Sequence, residues 1–182
     1  MILFVDTALK TNFIALFDGD KLVRWASFSQ ADQLIEQMEA FRPPLADLKG
    51  LAVGKGPGSY TGVRQGVIAM QAMAYSLKLP LKGIGSLELF KRNQTEAVVL
   101  DARIGGYYVL HDGGVEVMSK EKLVELQKNQ SNLFIMEPEI AQKVPELTFE
   151  NAVLDLERMG NKIAVEPPGP IDILYLRNSP YG

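Results

Sequence analysis

A chain of 182 residues, 47% hydrophobic and 23% charged, buries a sizeable core and is too apolar to stay disordered. It has no cysteine, which excludes a disulfide framework, a thiolate metal site and a cysteine nucleophile, and fits a reducing compartment. A formal net charge of −3 supplies no cationic footprint for holding nucleic acid unaided, so any role on RNA runs through a partner.

In chain order, Ile2-Leu3-Phe4-Val5 leads into Asp6-Thr7, then come an apolar run at 13–17, the turn Asp18-Gly19-Asp20 and a third run at 22–25. These read as three short strands, the last two a hairpin. The first strand carries no basic leader and reaches a carboxylate early, the pattern of a protein kept in the cytosol. Over 29–41, Leu34, Ile35, Met38 and Phe41 recur at helical spacing and Pro43-Pro44 closes the run, so an amphipathic helix is expected. A buried strand at 50–54, a Gly-rich loop at 55–62, a second helix at 61–79 stopped by Pro80, and a strand at 81–84 follow. The stretch 63–79 is interrupted by Arg64, Gln65, Gln71 and Lys78, too polar for a membrane span.

This order, three strands, helix, strand, helix, strand, is that of a ribonuclease-H-like half of the actin-like ATPase (ASKHA) α/β fold, with parallel pairing at the crossovers. The second half repeats it. A strand at 96–101 ends in Asp101 as the first ends in Asp6, 95 positions earlier, and strands at 107–110 and 115–118 flank the turn Asp112-Gly113-Gly114. A helix at 119–128, a strand at 133–136 and a helix at 152–162 complete it, with 137–148 left without a strand. Two related lobes are expected, 1–95 and 96–182, the second reduced and with a small sheet.

The segment Gly54-Lys55-Gly56-Pro57-Gly58-Ser59-Tyr60-Thr61-Gly62-Val63-Arg64 joins a strand to a helix. Backbone amides there could cradle an anion. Yet Lys55 precedes the glycines instead of following them, so this is not a Walker A loop, and a dinucleotide fingerprint is also missing. The competing reading is a tight turn that needs positive φ and close backbone packing.

Asp6-Thr7 and Asp101 stand at strand ends where actin-type ATPases hold magnesium and phosphates, but the connection Ala8-Leu9-Lys10-Thr11-Asn12 lacks the glycines such a hairpin uses. Strand-end capping is the simpler role. His111, the sole histidine, excludes a histidine-rich zinc site and, without a Gly-x-Ser-x-Gly elbow, a hydrolase triad. No metal ligand set is legible. The second helix is apolar nearly all round, which fits a core helix or one that also meets another molecule.

The glycine segment resembles the Gly-x-Gly-Pro-Gly-Ser-Tyr/Phe-Thr-Gly-x-Arg signature of the TsaB (YeaZ) family at every position, supported by Asp6-Thr7-Ala8, Asp101-Ala102-Arg103 and Tyr175-Leu176-Arg177. Gln30 stands where the family usually has a histidine. The resemblance implies a non-catalytic paralogue of the TsaD subunit, which transfers threonylcarbamoyl to adenosine 37 of tRNAs reading codons that begin with A. It implies a heterodimer with that TsaD-type paralogue, a TsaE-type ATPase as further partner, a homodimer when isolated, tRNA contact only through the complex, and no cofactor beyond weak or shared nucleotide.

On this reading the partner surface lies on the first two helices, with Leu34, Met38, Phe41, Arg64, Val67, Met70, Met73 and Tyr75 as its residues. The alternative is a small ATP-dependent phosphotransferase of the same superfamily using Asp6 and Asp101 with magnesium.

Overall fold

In the computed structural model, residues 1–90, 96–103, 106–129, 132–165 and 171 are described. The supporting motif Tyr175-Leu176-Arg177 lies outside them.

The first unit comprises Met1–Ser86 and the stretch from Asp155. Its sheet contains β1 (Ile2–Asp6), β2 (Asn12–Asp18), β3 (Lys21–Phe28), β4 (Gly50–Gly54) and β5 (Leu81–Ile84) in the order β3-β2-β1-β4-β5. β1 is central, antiparallel to β2 with Phe4 opposite Ala15, and parallel to β4 with Phe4 beside Ala52. A strand buried on both faces reads as an unbroken apolar run, which is why Leu3, Phe4 and Val5 follow without a polar residue, all fully buried. Phe4 and Phe13 meet edge to face at 5.4 Å.

Following β3, a 3₁₀ turn (Ala31–Gln33) leads into α1 (Leu34–Phe41), which ends at Arg42 with φ 46° before Pro43-Pro44. The helix expected from residue 29 is thus α-helical only from Leu34, and Gln30 opens it, its amide donating to Gln33 Oε1 at 3.3 Å. α2 (Tyr60–Leu77) is capped by the Ser59 hydroxyl, which accepts from Gly62 N, and closes at Lys78 with φ 55°.

The second unit, built on Leu87–Leu154, has the strands β6 (Glu96–Asp101), β7 (Tyr107–His111), β8 (Gly114–Met118), β9 (Asn132–Ile135) and β10 (Phe149–Asn151) in the order β10-β9-β6-β7-β8. Its helices are α3 (Lys120–Lys128) and α4 (Glu139–Lys143). This is the first sheet's order read from the other edge. β6 is antiparallel to β7 and parallel to β9, as β1 is to β2 and β4. The duplication is therefore real in topology.

The lobe is reduced in strand and helix length, but its sheet keeps five strands, contrary to the small sheet expected. β10 is only three residues long and sits at an edge, too short for a pattern to reveal it.

α5 (Leu156–Val165) belongs to the first unit, not the second, as the 96–182 division had it. Gly160 lies directly on the Asp20 backbone, and Lys82 Nζ donates to the Ile163 carbonyl at 2.7 Å. Leu156, Met159 and Ile163 are buried at helical spacing, so the packing face starts four residues later than the expected start at 152.

Candidate functional site

The signature loop runs from the end of β4 to the first turn of α2, and five of the amides along it are bonded within the protein. Lys55 N donates to Ile84 O at 2.8 Å, Gly56 N to Ser86 Oγ at 3.1 Å and Ser59 N to Ala8 O at 2.6 Å. Gly62 N reaches Ser59 Oγ at 3.2 Å and Val63 N reaches Ser59 O at 2.9 Å. Amides so engaged are not free to hold phosphate.

The glycines answer to contact. A Cβ on Gly58 would lie 2.1 Å from Ala8 O, on Gly62 2.0 Å from Thr7 O, and on Gly66 2.3 Å from Thr7 Oγ1. Gly56 takes φ 88° ahead of Pro57. The motif residues Gly56, Pro57, Gly58, Ser59, Tyr60, Thr61 and Gly62 thus form a close-packed turn that fixes α2 against the end of β1.

Asp6 and Thr7 face inward. Thr7 donates to Gly62 O at 2.7 Å, and Asp6 Oδ1 accepts from Ala8 N at 2.7 Å. Both side chains are shut from solvent, and Gly54 is the only residue that fits over Asp6, since a Cβ there would sit 2.2 Å from its carboxyl carbon. Burial pushes the Asp6 carboxyl up to about 6, against the pull of the Ala8 amide and the Ser86 hydroxyl. Its Oδ2 has no hydrogen-bond partner among the described residues.

Because the folded value lies above the ordinary 3.8, the native state binds this proton more tightly than the unfolded chain. The resulting stabilisation is complete below 3.8 and is lost as pH rises through about 6. The gap corresponds to about 3 kcal/mol. Asp6→Asn keeps the acceptor for Ala8 and cannot titrate, so urea unfolding across this range is expected to show a declining wild-type stability and a variant lacking about 3 kcal/mol of that decline. An equal slope in both proteins would mean that another group titrates.

Asp101 repeats the local geometry, its Oδ1 accepting from Arg103 N at 2.6 Å just as Asp6 accepts from the amide two residues on. Partial burial raises its pKa, but the Lys143 ammonium and the Arg103 amide outweigh that and hold the carboxyl below its usual value. The carboxylate is paired with Lys143. Each aspartate therefore closes its own strand end, and neither presents a free carboxylate for a magnesium-phosphate complex. His111, at the β7–β8 turn, lies between Asp112 and Glu116. Among the described residues no group of His, Asp or Glu has metal-ligating geometry.

The other feature is a groove of about 480 Å³ between the 3₁₀ turn with α1 and the outer face of α2, its apolar floor formed by Leu34, Ile35, Ile68 and Ala69. Tyr60 and Arg64 stand at one rim, Asp32 at the other wall. Ile35 is 63%, Tyr60 59%, Ile68 60% and Tyr75 89% exposed.

Half of the expected interface is corrected here. Leu34, Phe41, Val67 and Met70 are buried in the chain's own core, Phe41 beneath the Arg24 guanidinium at 4.3 Å. Met38 and Met73 are half-buried, while Arg64 and Tyr75 are exposed. The reason is helical phase: Gly62, Val63, Gly66, Val67 and Met70 share the sheet-facing side of α2, which turns Arg64, Ile68, Ala72 and Tyr75 outward. Ile35 and Ile68, outside the expected set, are exposed on this side, as is Tyr60, which was expected only as part of the motif loop. The signal was present in the glycines at 58, 62 and 66, whose four-residue spacing marks the side that touches β1.

The family model described as "TsaD: tRNA N6-adenosine threonylcarbamoyltransferase" matches residues 30–165. The tRNA threonylcarbamoyladenosine biosynthesis protein TsaB of Bacillus subtilis (strain 168) is 33% identical over 120 residues, 59% of this chain and 52% of the relative. The TsaB protein of Escherichia coli (strain K12) is 38% identical over 71 residues, 35% of this chain and 31% of its own length. The matched part of the chain thus spans about half of the first relative and less of the second. YeaZ from Pseudomonas aeruginosa superimposes with a TM-score of 0.63 at 20% identity, covering 88% of this chain and 89% of that one. An uncharacterized protein with similarity to peptidase YEAZ, from the same organism, gives 0.65 at 17%, covering 94% and 99%. At such identities these structures speak for the fold: two lobes of the YeaZ type. With three quarters of its length inside the family match, the chain belongs to the TsaD family, and the curated relatives it resembles carry the TsaB name.

Proposed function

We propose that this protein is a non-catalytic subunit in threonylcarbamoylation of adenosine 37 of tRNA, binding and positioning a TsaD-type paralogue through the groove between α1 and α2. The observation that carries this is the pairing of an exposed apolar groove with a first-strand aspartate sealed from solvent. Ile35, Ile68, Tyr60 and Tyr75 stand in solvent on one face, while Asp6 and the amides of Lys55, Gly56, Ser59 and Gly62 are bonded inside. Exposed apolar residues clustered beside aromatic and arginine side chains are the composition of protein interfaces. The relatives' names supply the pathway.

On this reading the chain works in the cytoplasm, forms a homodimer when isolated, meets tRNA only in the complex and adds a TsaE-type ATPase as a later partner. Among the described residues no helix is long and apolar enough to cross a membrane. A phosphotransferase would need Asp6 and Asp101 open to magnesium, and the first is buried while the second is held by Lys143.

The test is calorimetric titration of the purified chain with the TsaD-type protein from the same source, and separately with magnesium ATP. A one-to-one complex at micromolar or tighter affinity is expected. Tight ATP binding with no complex would overturn the proposal in favour of the kinase.

A further inference from the structure

The docking reading says which face is used but not what orients the occupant, because apolar contact is non-directional. A groove floored by Leu34, Ile35, Ile68 and Ala69 accepts a helix in either direction. Its charges are not symmetric. Arg64 stands at the rim formed by α2, with Nη1 donating to the Tyr60 hydroxyl at 2.7 Å and the guanidinium 5.1 Å from the Tyr60 ring centre. Asp32 stands on the other wall, with Glu36 exposed one turn beyond it.

Arg64 makes no ion pair with any described residue, Asp32 included. It is an exposed cation already held in one orientation by an aromatic plane, one turn before the exposed Ile68 on the same helix face. A guanidinium that is pre-oriented gives up less conformational freedom when it accepts a planar, bidentate partner, and that partner is a carboxylate.

We propose that Arg64 is the orienting residue of this interface: it receives an Asp or Glu carboxylate from a helix of the paralogous subunit, while the apolar face of that helix covers Ile35 and Ile68. The inference rests on the docking reading. Asp32 and Glu36 reinforce it by repelling the same carboxylate when the helix lies the other way round, so one orientation is favoured and the reverse penalised. The same acids disfavour a nucleic-acid backbone, which calls for several clustered cations where this face presents one. Closing the apolar rim around the pair excludes water and strengthens it.

The experiment titrates the TsaD-type paralogue with the wild type, Arg64→Gln, Arg64→Lys and Ile68→Asp, at low and at high salt. Both positions are solvent-exposed, so folding is checked by a thermal melt. Arg64→Gln is expected to bind about 10- to 100-fold more weakly with a flatter salt dependence, and Arg64→Lys to fall between it and the wild type because a point cation cannot make the bidentate pair.

If Arg64→Gln binds as the wild type does while Ile68→Asp fails, the carboxylate inference is overturned and the docking face stands. If the wild type binds no paralogue, the docking reading falls and takes this inference with it. If the Arg64 effect appears against tRNA alone and not against the paralogue, the carboxylate is likewise overturned.

Discussion

Ile68→Asp is expected to abolish pairing with the TsaD-type partner, weakening it at least about 100-fold, while leaving the isolated chain folded. The side chain is 60% exposed on the outer face of α2 and lies over the groove, so in the free protein the new carboxylate stays in water. Its folding cost is that of a poorer helix former, about 0.5 kcal/mol. In the complex the same carboxylate would be buried against apolar surface with no cation provided for it, a cost of several kcal/mol. Met70→Asp makes the contrast. Met70 is 1% exposed on the opposite face of the same helix, and a charge there is expected to cost more than about 4 kcal/mol, a large part of the whole stability of a domain. Calorimetry and thermal melts on the two variants separate the cases. Normal pairing by a folded Ile68→Asp protein would remove this face from the interface.

That contrast also marks where the sequence was readable and where it was not. The doubled topology was legible because each half opens with an unbroken apolar strand ending in Asp, and Asp6 and Asp101 do make the same turn to an amide two residues on. The signature loop was legible as a tight turn, since four glycines in nine positions need a contact or a conformation to account for them. The outward face of α2 was harder to read because the helix is apolar almost all round. A helix of that kind has no hydrophobic phase of its own, so Val67 and Met70 look like Ile68 and Tyr75 until the sheet-facing side is known.

Leu34 and Phe41 failed for the converse reason: on the short α1, the largest apolar residues are the ones the chain takes for its own core. The pairing of Asp101 with Lys143 joins residues 42 positions apart, and no local pattern announces it. The return of α5 to the first unit is equally non-local, fixed by a glycine that lets the helix touch Asp20.

Gly62→Ala is expected to be the most damaging small substitution in the motif, with Gly58→Ala close behind, each lowering the unfolding free energy by more than about 3 kcal/mol in urea titration. The added methyl would stand 2.0 Å from Thr7 O in the first case and 2.1 Å from Ala8 O in the second. Both obstacles are backbone atoms, which cannot rotate aside as a side chain can. Relief requires moving the end of β1, the central strand, or lifting the first turn of α2, and either motion breaks bonds that join them, Ser59 N to Ala8 O and Thr7 Oγ1 to Gly62 O.

Gly114→Ala is the control. It sits at the start of β8 with nothing within 4 Å of the added carbon, and its effect is expected to stay within about 1 kcal/mol of zero. The damage at Gly62 also reaches the interface, because the turn it displaces carries Tyr60 and Arg64 to the groove. A Gly62→Ala variant that still folds should therefore bind the paralogue more weakly without any change to a contacting side chain. If it instead melts with the wild type, the close approach of α2 to β1 is not what the glycines serve, and an anion at the loop would again have to be considered.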